Sequence, residues 1–249
     1  MRLRHSVKLL LAAVICSSSL TAIGAAGDDI APATAAAIRA TLHERIPELQ
    51  IQGIHKSPLP GLYELDTGAE LLYVNEDGSL IFAGRIVDSK TRADLTAERW
   101  DKLNAVDFNT LPFDLAIKTV RGDGSRKVAV FADPLCPYCR QLEQEMQGIN
   151  NVTIYTFLYP LEQIHPGASE KSVHIWCAKD PGEAWSKWML QKTDPGNARC
   201  AGAPIDKLQT LGQKIHVDST PTMFTVDGKR TRGAVKHNEI EQLLASTHK

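Results

Sequence analysis

The 249-residue chain is 43% hydrophobic and 23% charged, so it holds enough apolar material for a core and enough charge to stay soluble. This excludes a disordered, collagenous or multi-span membrane protein. Lys+Arg 28 nearly cancels Asp+Glu 29, leaving a formal net charge of -1 and no field for a phosphate backbone, so nucleic acid is not an expected partner. The length allows one or two domains.

The chain opens on Arg2, Arg4 and Lys8, continues with an apolar run at 9–15, and passes through small residues at 22–27 to Asp28 and Asp29. That order predicts a secretory signal peptide over residues 1–26 and hence an exported protein. The apolar run is too short to cross a bilayer, which needs about 20 such residues. Cleavage removes Cys16 and leaves four cysteines, an even number for which two disulfides are the default in an oxidising compartment. Cys136 and Cys139 form a C-x-x-C, whereas Cys177 and Cys200 stand far apart, so the two pairs have different jobs.

In chain order, Ala37, Ile38, Leu42, Ile46 and Leu49 recur at spacings of three and four, which predicts an amphipathic helix over 33–49. Short β-prone runs follow at 62–65, 71–74 and 80–86, separated by Asp66-Thr67-Gly68 and Asn75-Glu76-Asp77-Gly78, as in an antiparallel meander. Residues 27–87 therefore form a small α+β domain without a plausible catalytic group. Residues 88–108 are charged with sparse apolar marks at Leu95, Trp100, Leu103 and Val106, and read as a mostly exposed linker helix.

A second domain occupies 109–249. Its 127–132 segment is nearly all apolar and fits a strand buried on both faces. Cys136-Pro137-Tyr138-Cys139 follows at once, with Pro137 at a first helical position and helix formers through Met146. The stretch at 152–158 is β-prone, 168–192 looks helical, 223–226 is a strand turning at Asp227-Gly228, and Asn238 with Glu241 resembles a capping box for a last helix.

A cysteine at a helix start faces unpaired backbone N–H groups and the positive end of the helix dipole, which favours its thiolate. Cys136 is the expected nucleophile; Cys139, one turn later, resolves the mixed disulfide or closes the ring. A purely structural bridge between them would constrain little, since it closes a very short loop. A zinc site lacks a second ligand pair at suitable spacing, and the eight histidines form no ligand-spaced pair on one helix. Pro221, just before a strand, cannot donate to a ladder and belongs at a strand start or turn; base rates leave its peptide bond trans. Asp133 reads as a strand-end cap, and Trp176, Trp185 and Trp188 as a packing stripe.

Phe131-Ala132-Asp133 before Cys136-Pro137-Tyr138-Cys139, then Ile175-Trp176-Cys177-Ala178-Lys179-Asp180 and Ser219-Thr220-Pro221, resemble the DsbC/DsbG family of periplasmic thiol:disulfide isomerases. The resemblance implies an α/β thioredoxin-like fold with a helical insertion, preceded by a dimerisation domain and linker helix. It also implies a cis bond at Pro221 facing the active cysteines, Thr220 offering backbone hydrogen bonds to a substrate chain, and a structural disulfide joining Cys177 to Cys200. A V-shaped homodimer, a periplasmic location and a membrane electron donor of the DsbD type come with it, and neither an organic cofactor nor a metal is needed. Pro137-Tyr138 is the DsbG-like dipeptide, the Trp-Cys-Ala-Lys-Asp stretch leans toward DsbC, and Ser219 stands where glycine is common. The expected activity is reshuffling of wrong disulfides in misoxidised or unfolded exported proteins. Reduction of sulfenylated single cysteines, a dimeric chaperone with secondary redox activity, and simple oxidation stand as alternatives.

Overall fold

A computed structural model describes residues 30–245; the signal-peptide segment and Cys16 lie outside them. The chain divides into two compact units, the first running to Phe82 without Ala69–Leu71, the second made of Ala69–Leu71 and everything from Ala83 onward.

The first unit begins with α1 (Pro32–Arg45), which opens on a proline at its first position and buries Ile38 and Leu42. The helix ends four residues before the periodicity does. Ile46 has left helical geometry, and Pro47 behind it disfavours the α region for that residue. Four strands follow, β1 (Gly53–Lys56), β2 (Leu62–Asp66), β3 (Leu71–Asn75) and β4 (Ile81–Phe82), hydrogen-bonded in that order. β1 and β2 pair antiparallel with Gly53 opposite Asp66, and β3 and β4 with Tyr73 opposite Phe82. β1 was invisible to pattern because Gly53, His55 and Lys56 break any apolar alternation. The 80–86 run, expected as a strand, pairs at only two residues and leaves Leu80, Ile81 and Phe82 exposed. Ile38, Leu42, Ile54, Leu65, Leu72 and Val74 make the core of this unit. Gly78, at φ 72°, lets the β3–β4 turn lie against α1, where a Cβ would come 3.0 Å from Thr41 Cβ.

The second unit opens with α2 (Leu95–Leu103), capped by Asp94, whose carboxylate accepts from Ala97 N–H at 2.9 Å. Most of α2 is half-buried rather than exposed, as a free spacer would be. Then come β5 (Ile117–Arg121), β6 (Arg126–Ala132), α3 (Pro137–Glu145), β7 (Val152–Leu158), α4 (Ala168–Trp176), α5 (Pro181–Gln191), α6 (Ile205–Lys214), β8 (Thr222–Thr225), β9 (Arg230–Arg232) and α7 (His237–Ala245). The sheet order is β5-β7-β6-β8-β9. β6 is central, parallel to β7 with Val128 opposite Ile154, and antiparallel to β8 with Val130 opposite Met223. Its last five residues are fully buried, as its apolar run requires. Phe131 stacks on Phe157 at 4.8 Å and meets Phe224 edge-on, which fixes the centre of the core.

The 168–192 stretch is two helices, because Pro181 cannot continue α4 and Asp180 caps a new start by accepting from Glu183 N–H. Asn238 and Glu241 form no capping box: α7 starts at His237, whose N–H donates to Glu145 at 3.0 Å, while Glu241 pairs with Arg126 at 2.5 Å. Among the described residues, no helix is long and apolar enough to cross a membrane.

Candidate active site

β6 ends at Ala132, and the turn Asp133-Pro134-Leu135 delivers Cys136 to the N-cap of α3 with Pro137 at the first helical position. Cys136 N–H donates to Asp133 O at 3.2 Å, closing that turn. Both cysteines are thiols, 4% and 2% exposed, while Pro137 and Tyr138 between them are exposed, Tyr138 at 62%. From the other side, the loop before β8 presents Thr220 and Pro221, joined by a cis peptide bond. The Cys136 sulfur stands 3.4 Å from Thr220 O, and Asp133 N–H donates to the Cys139 sulfur at 3.4 Å.

The two sulfurs are driven in opposite directions. Donation from the Cys139 thiol, with smaller help from the N–H groups of Cys139 and Tyr138 at the helix start, outweighs burial and holds Cys136 down at about 5. Burial, reinforced by the neighbouring Cys136, pushes Cys139 far above the ordinary thiol range. The Thr220 hydroxyl is buried without a hydrogen bond of ordinary geometry, yet it is close enough to both sulfurs to favour their charged forms slightly. With Cys136 held at about 5 and Cys139 pushed up, the pair at neutral pH is one buried thiolate and one retained proton.

Asp133 is fully buried and caps the strand end as expected, accepting from Leu135 N–H and Leu161 N–H, both at 2.7 Å. Its second oxygen also meets His165 Nδ1 at 2.9 Å, so one of the histidines that form no ligand-spaced pair joins the back of the redox turn. Nothing in the sequence signals that contact, because it spans 32 positions and a loop. The turn is further held by Trp188, whose indole N–H donates to Pro134 O at 2.7 Å, and by Arg140, which donates to Trp188 O at 2.9 Å. Trp185 is buried and donates to Glu143 at 3.1 Å; Trp176 and Trp188 are half-buried at the edge of the same core.

Cys177 and Cys200 are joined in a disulfide with Cα atoms 5.5 Å apart, tying the end of α4 to the segment before α6. Among the described residues, no three His, Cys, Asp or Glu side chains gather as a metal site.

A C-x-x-C at the start of the helix that follows a central strand, faced by a cis-proline loop, defines a thioredoxin-like thiol–disulfide oxidoreductase. Two family models match: a thioredoxin-like domain over residues 113–248 and a disulfide bond isomerase protein N-terminal domain over residues 29–97. A probable thiol:disulfide interchange protein DsbC of Bordetella pertussis is 40% identical over 208 residues, covering 84% of this chain and 73% of that protein. The DsbC of Escherichia coli K12 is 26% identical over 222 residues, covering 88% and 91%. Among solved structures, a disulfide interchange protein from Neisseria gonorrhoeae superposes with a TM-score of 0.54 at 35% identity, covering 56% of this chain and 99% of that one. The chain belongs to the DsbC/DsbG family of thiol:disulfide interchange proteins, with a thioredoxin-like fold behind a DsbC-type N-terminal domain.

Proposed function

We propose that the protein is an exported disulfide isomerase whose Cys136 thiolate attacks a wrong disulfide in a misoxidised substrate protein. The attack forms a bond between the Cys136 sulfur and one substrate sulfur and releases the other as a thiolate. If another substrate thiolate then displaces Cys136, the substrate's bridges have been rearranged with no net transfer of electrons. If Cys139 gives up its proton and attacks instead, the products are a Cys136–Cys139 disulfide and a substrate reduced by two electrons. A membrane donor of the DsbD type then restores the dithiol. Thr220 and Pro221 hold the substrate chain, and Pro137 and Tyr138 tune the site.

The observation that carries this reading is geometric: Cys136 at the N-cap of α3 stands 3.4 Å from the Thr220 carbonyl of the cis-proline loop with Cys139 one turn behind it, an arrangement that favours the thiolate of the first sulfur and the proton of the second. Residues 1–26 direct export to the periplasm, 27–87 make a homodimer, 88–108 link, and 109–249 catalyse. The exposed apolar strip formed by Leu80 and the edge strand β4 (Ile81 and Phe82) favours a partner copy over open water.

The test is to trap mixed disulfides in the exporting cell with Cys139→Ala and identify the captured proteins. Multi-cysteine clients are expected; single-cysteine clients would make the protein a reductase of sulfenic acids, and none would leave a holdase. Sedimentation of the full chain should give a dimer, and a monomer would overturn that part.

A further inference from the structure

The helix α2 lies between the two domains in sequence, yet its side chains reach the loop that carries Thr220 and Pro221. Trp100 meets the His216 ring edge-on at 5.5 Å. The next residue, Asp101, accepts two hydrogen bonds from Arg232 Nη1, at 2.8 and 3.0 Å, and lies 3.8 Å from Arg230 Nη1. Arg230, its side chain only 1% exposed, donates to Ile215 O at 2.6 Å and His216 O at 3.2 Å, and spans back to Asn104 O just past α2 at 3.4 Å. Arg232 continues the chain to Asp218 at 3.4 Å, and Ser219 donates to the same Asp218 carboxylate at 3.0 Å. The next two residues are Thr220 and Pro221. Behind them, Gly233, the residue after β9, donates to Pro221 O at 2.8 Å.

The loop at 215–221 is anchored near its start by buried Val217, whose N–H donates to Gly212 O at 2.8 Å and whose carbonyl accepts from the Tyr159 hydroxyl at 3.1 Å, and the contacts from α2 and β9 add to these. His216 sits at φ 55°, outside ordinary strand or helix backbone. The Ile215 and His216 carbonyls accept from the buried Arg230 guanidinium, and the carboxylate that this guanidinium approaches, at 3.8 Å, is on α2. The β8–β9 turn is pressed against the chain leaving α2 as well: a Cβ on Gly228 would stand 2.7 Å from Val106 O. We infer that α2 is a brace for the substrate-binding loop, with Trp100 and Asp101 as positioning residues that fix where Thr220 and Pro221 stand opposite Cys136. The inference rests on the reading of Thr220 and Pro221 as the place where a substrate chain binds. It assigns the linker a second task, since the segment that joins the domains also sets the geometry of the reaction.

The test compares full-length Asp101→Asn, Asp101→Glu and Trp100→Ala with the parent and with Glu98→Ala, an exposed position on the same helix. Two readouts are taken on reduced protein whose folding is verified by circular dichroism: reduction of a peptide carrying a mixed disulfide, split into KM and kcat, and alkylation of Cys136 by a small reagent against pH. Asp101→Asn and Trp100→Ala should raise KM several-fold with kcat nearly unchanged, because a loosened loop binds the chain less well but leaves the sulfur chemistry in place. Asp101→Glu, keeping the charge, should recover part of the loss, and Glu98→Ala should match the parent. Unchanged KM in folded Asp101→Asn and Trp100→Ala, with only a lower unfolding midpoint, would overturn the brace. The alkylation profile should superimpose on the parent's in every variant. If the parent shows no saturable reaction with the peptide, the substrate-binding reading itself fails, and hydrogen exchange of the amides at 215–220 then decides the brace alone, faster exchange in Asp101→Asn and Trp100→Ala supporting it and unchanged exchange ending it.

Discussion

The two cysteine pairs of this chain have the same elements and opposite surroundings. Cys136 and Cys139 are buried thiols on one helical turn, wrapped by backbone N–H groups and a cis-proline loop. Cys177 is half-buried and Cys200 exposed, and they are already joined across a long excursion of chain. What separates a reactive pair from a static one is therefore not access to water. It is whether the protein stabilises one sulfur as an anion, which needs a helix start and a neighbouring thiol proton, and the second pair has neither. The static pair closes a loop that would otherwise be free in the unfolded chain, a different kind of contribution altogether.

That division can be broken at several points. The largest effect expected is from Cys136→Ser, which should bring reduction of a protein disulfide down to the uncatalysed background, while Cys177→Ala with Cys200→Ala leaves it largely intact; activity lost in the folded double variant would make the second pair a relay. Next, alkylation of the reduced protein should be confined to Cys136 and half-maximal near pH 5. Folding lowers this pKa, so thiolate formation stabilises the reduced form at neutral and alkaline pH. That stabilisation disappears as the pH falls through about 5, and a midpoint in the ordinary thiol range would remove the distinction between the pairs. Third, deleting the Cys177–Cys200 bridge should lower stability by about 3.5 kcal/mol for a loop of this length, read as a lower denaturant midpoint with an unchanged Cys136 titration. The smallest effect is expected from Trp188→Phe, which removes the hydrogen bond to Pro134 O at a cost of about 1 kcal/mol and should leave the alkylation midpoint where it was. A moved midpoint would show that the disulfide-bearing insertion acts on the redox turn.

Much of the catalytic unit was legible because its signals are local. An apolar run of strand length, a C-x-x-C, a proline at a first helical position and a pair of cysteines far apart can all be read without knowing what lies across the fold. β5 escaped because Lys118 and Arg121 interrupt it on an edge strand, where only one flank is paired. α6 escaped because Gly212 sits inside it, tolerated where the Tyr159 ring packs close enough that a Cβ would meet Tyr159 Cε2 at 2.2 Å. The cis bond at Pro221 had no local signal at all and was reached only through resemblance. The partners of Asp133, Asp101 and Glu241 are contacts across long stretches of chain, and side-chain chemistry alone does not say which arginine or histidine will meet which carboxylate.

Cys136 is 4% exposed although Tyr138, two residues on, is open at 62%, and that burial bears on which proteins the enzyme can act on. A sulfur so little exposed would be reached more readily by a disulfide on a loose segment than by one held rigid. On the reading of Cys136 as the attacking sulfur, bridges packed inside a finished protein lack that slack, and the catalyst would spare the products of its own work without having to recognise them.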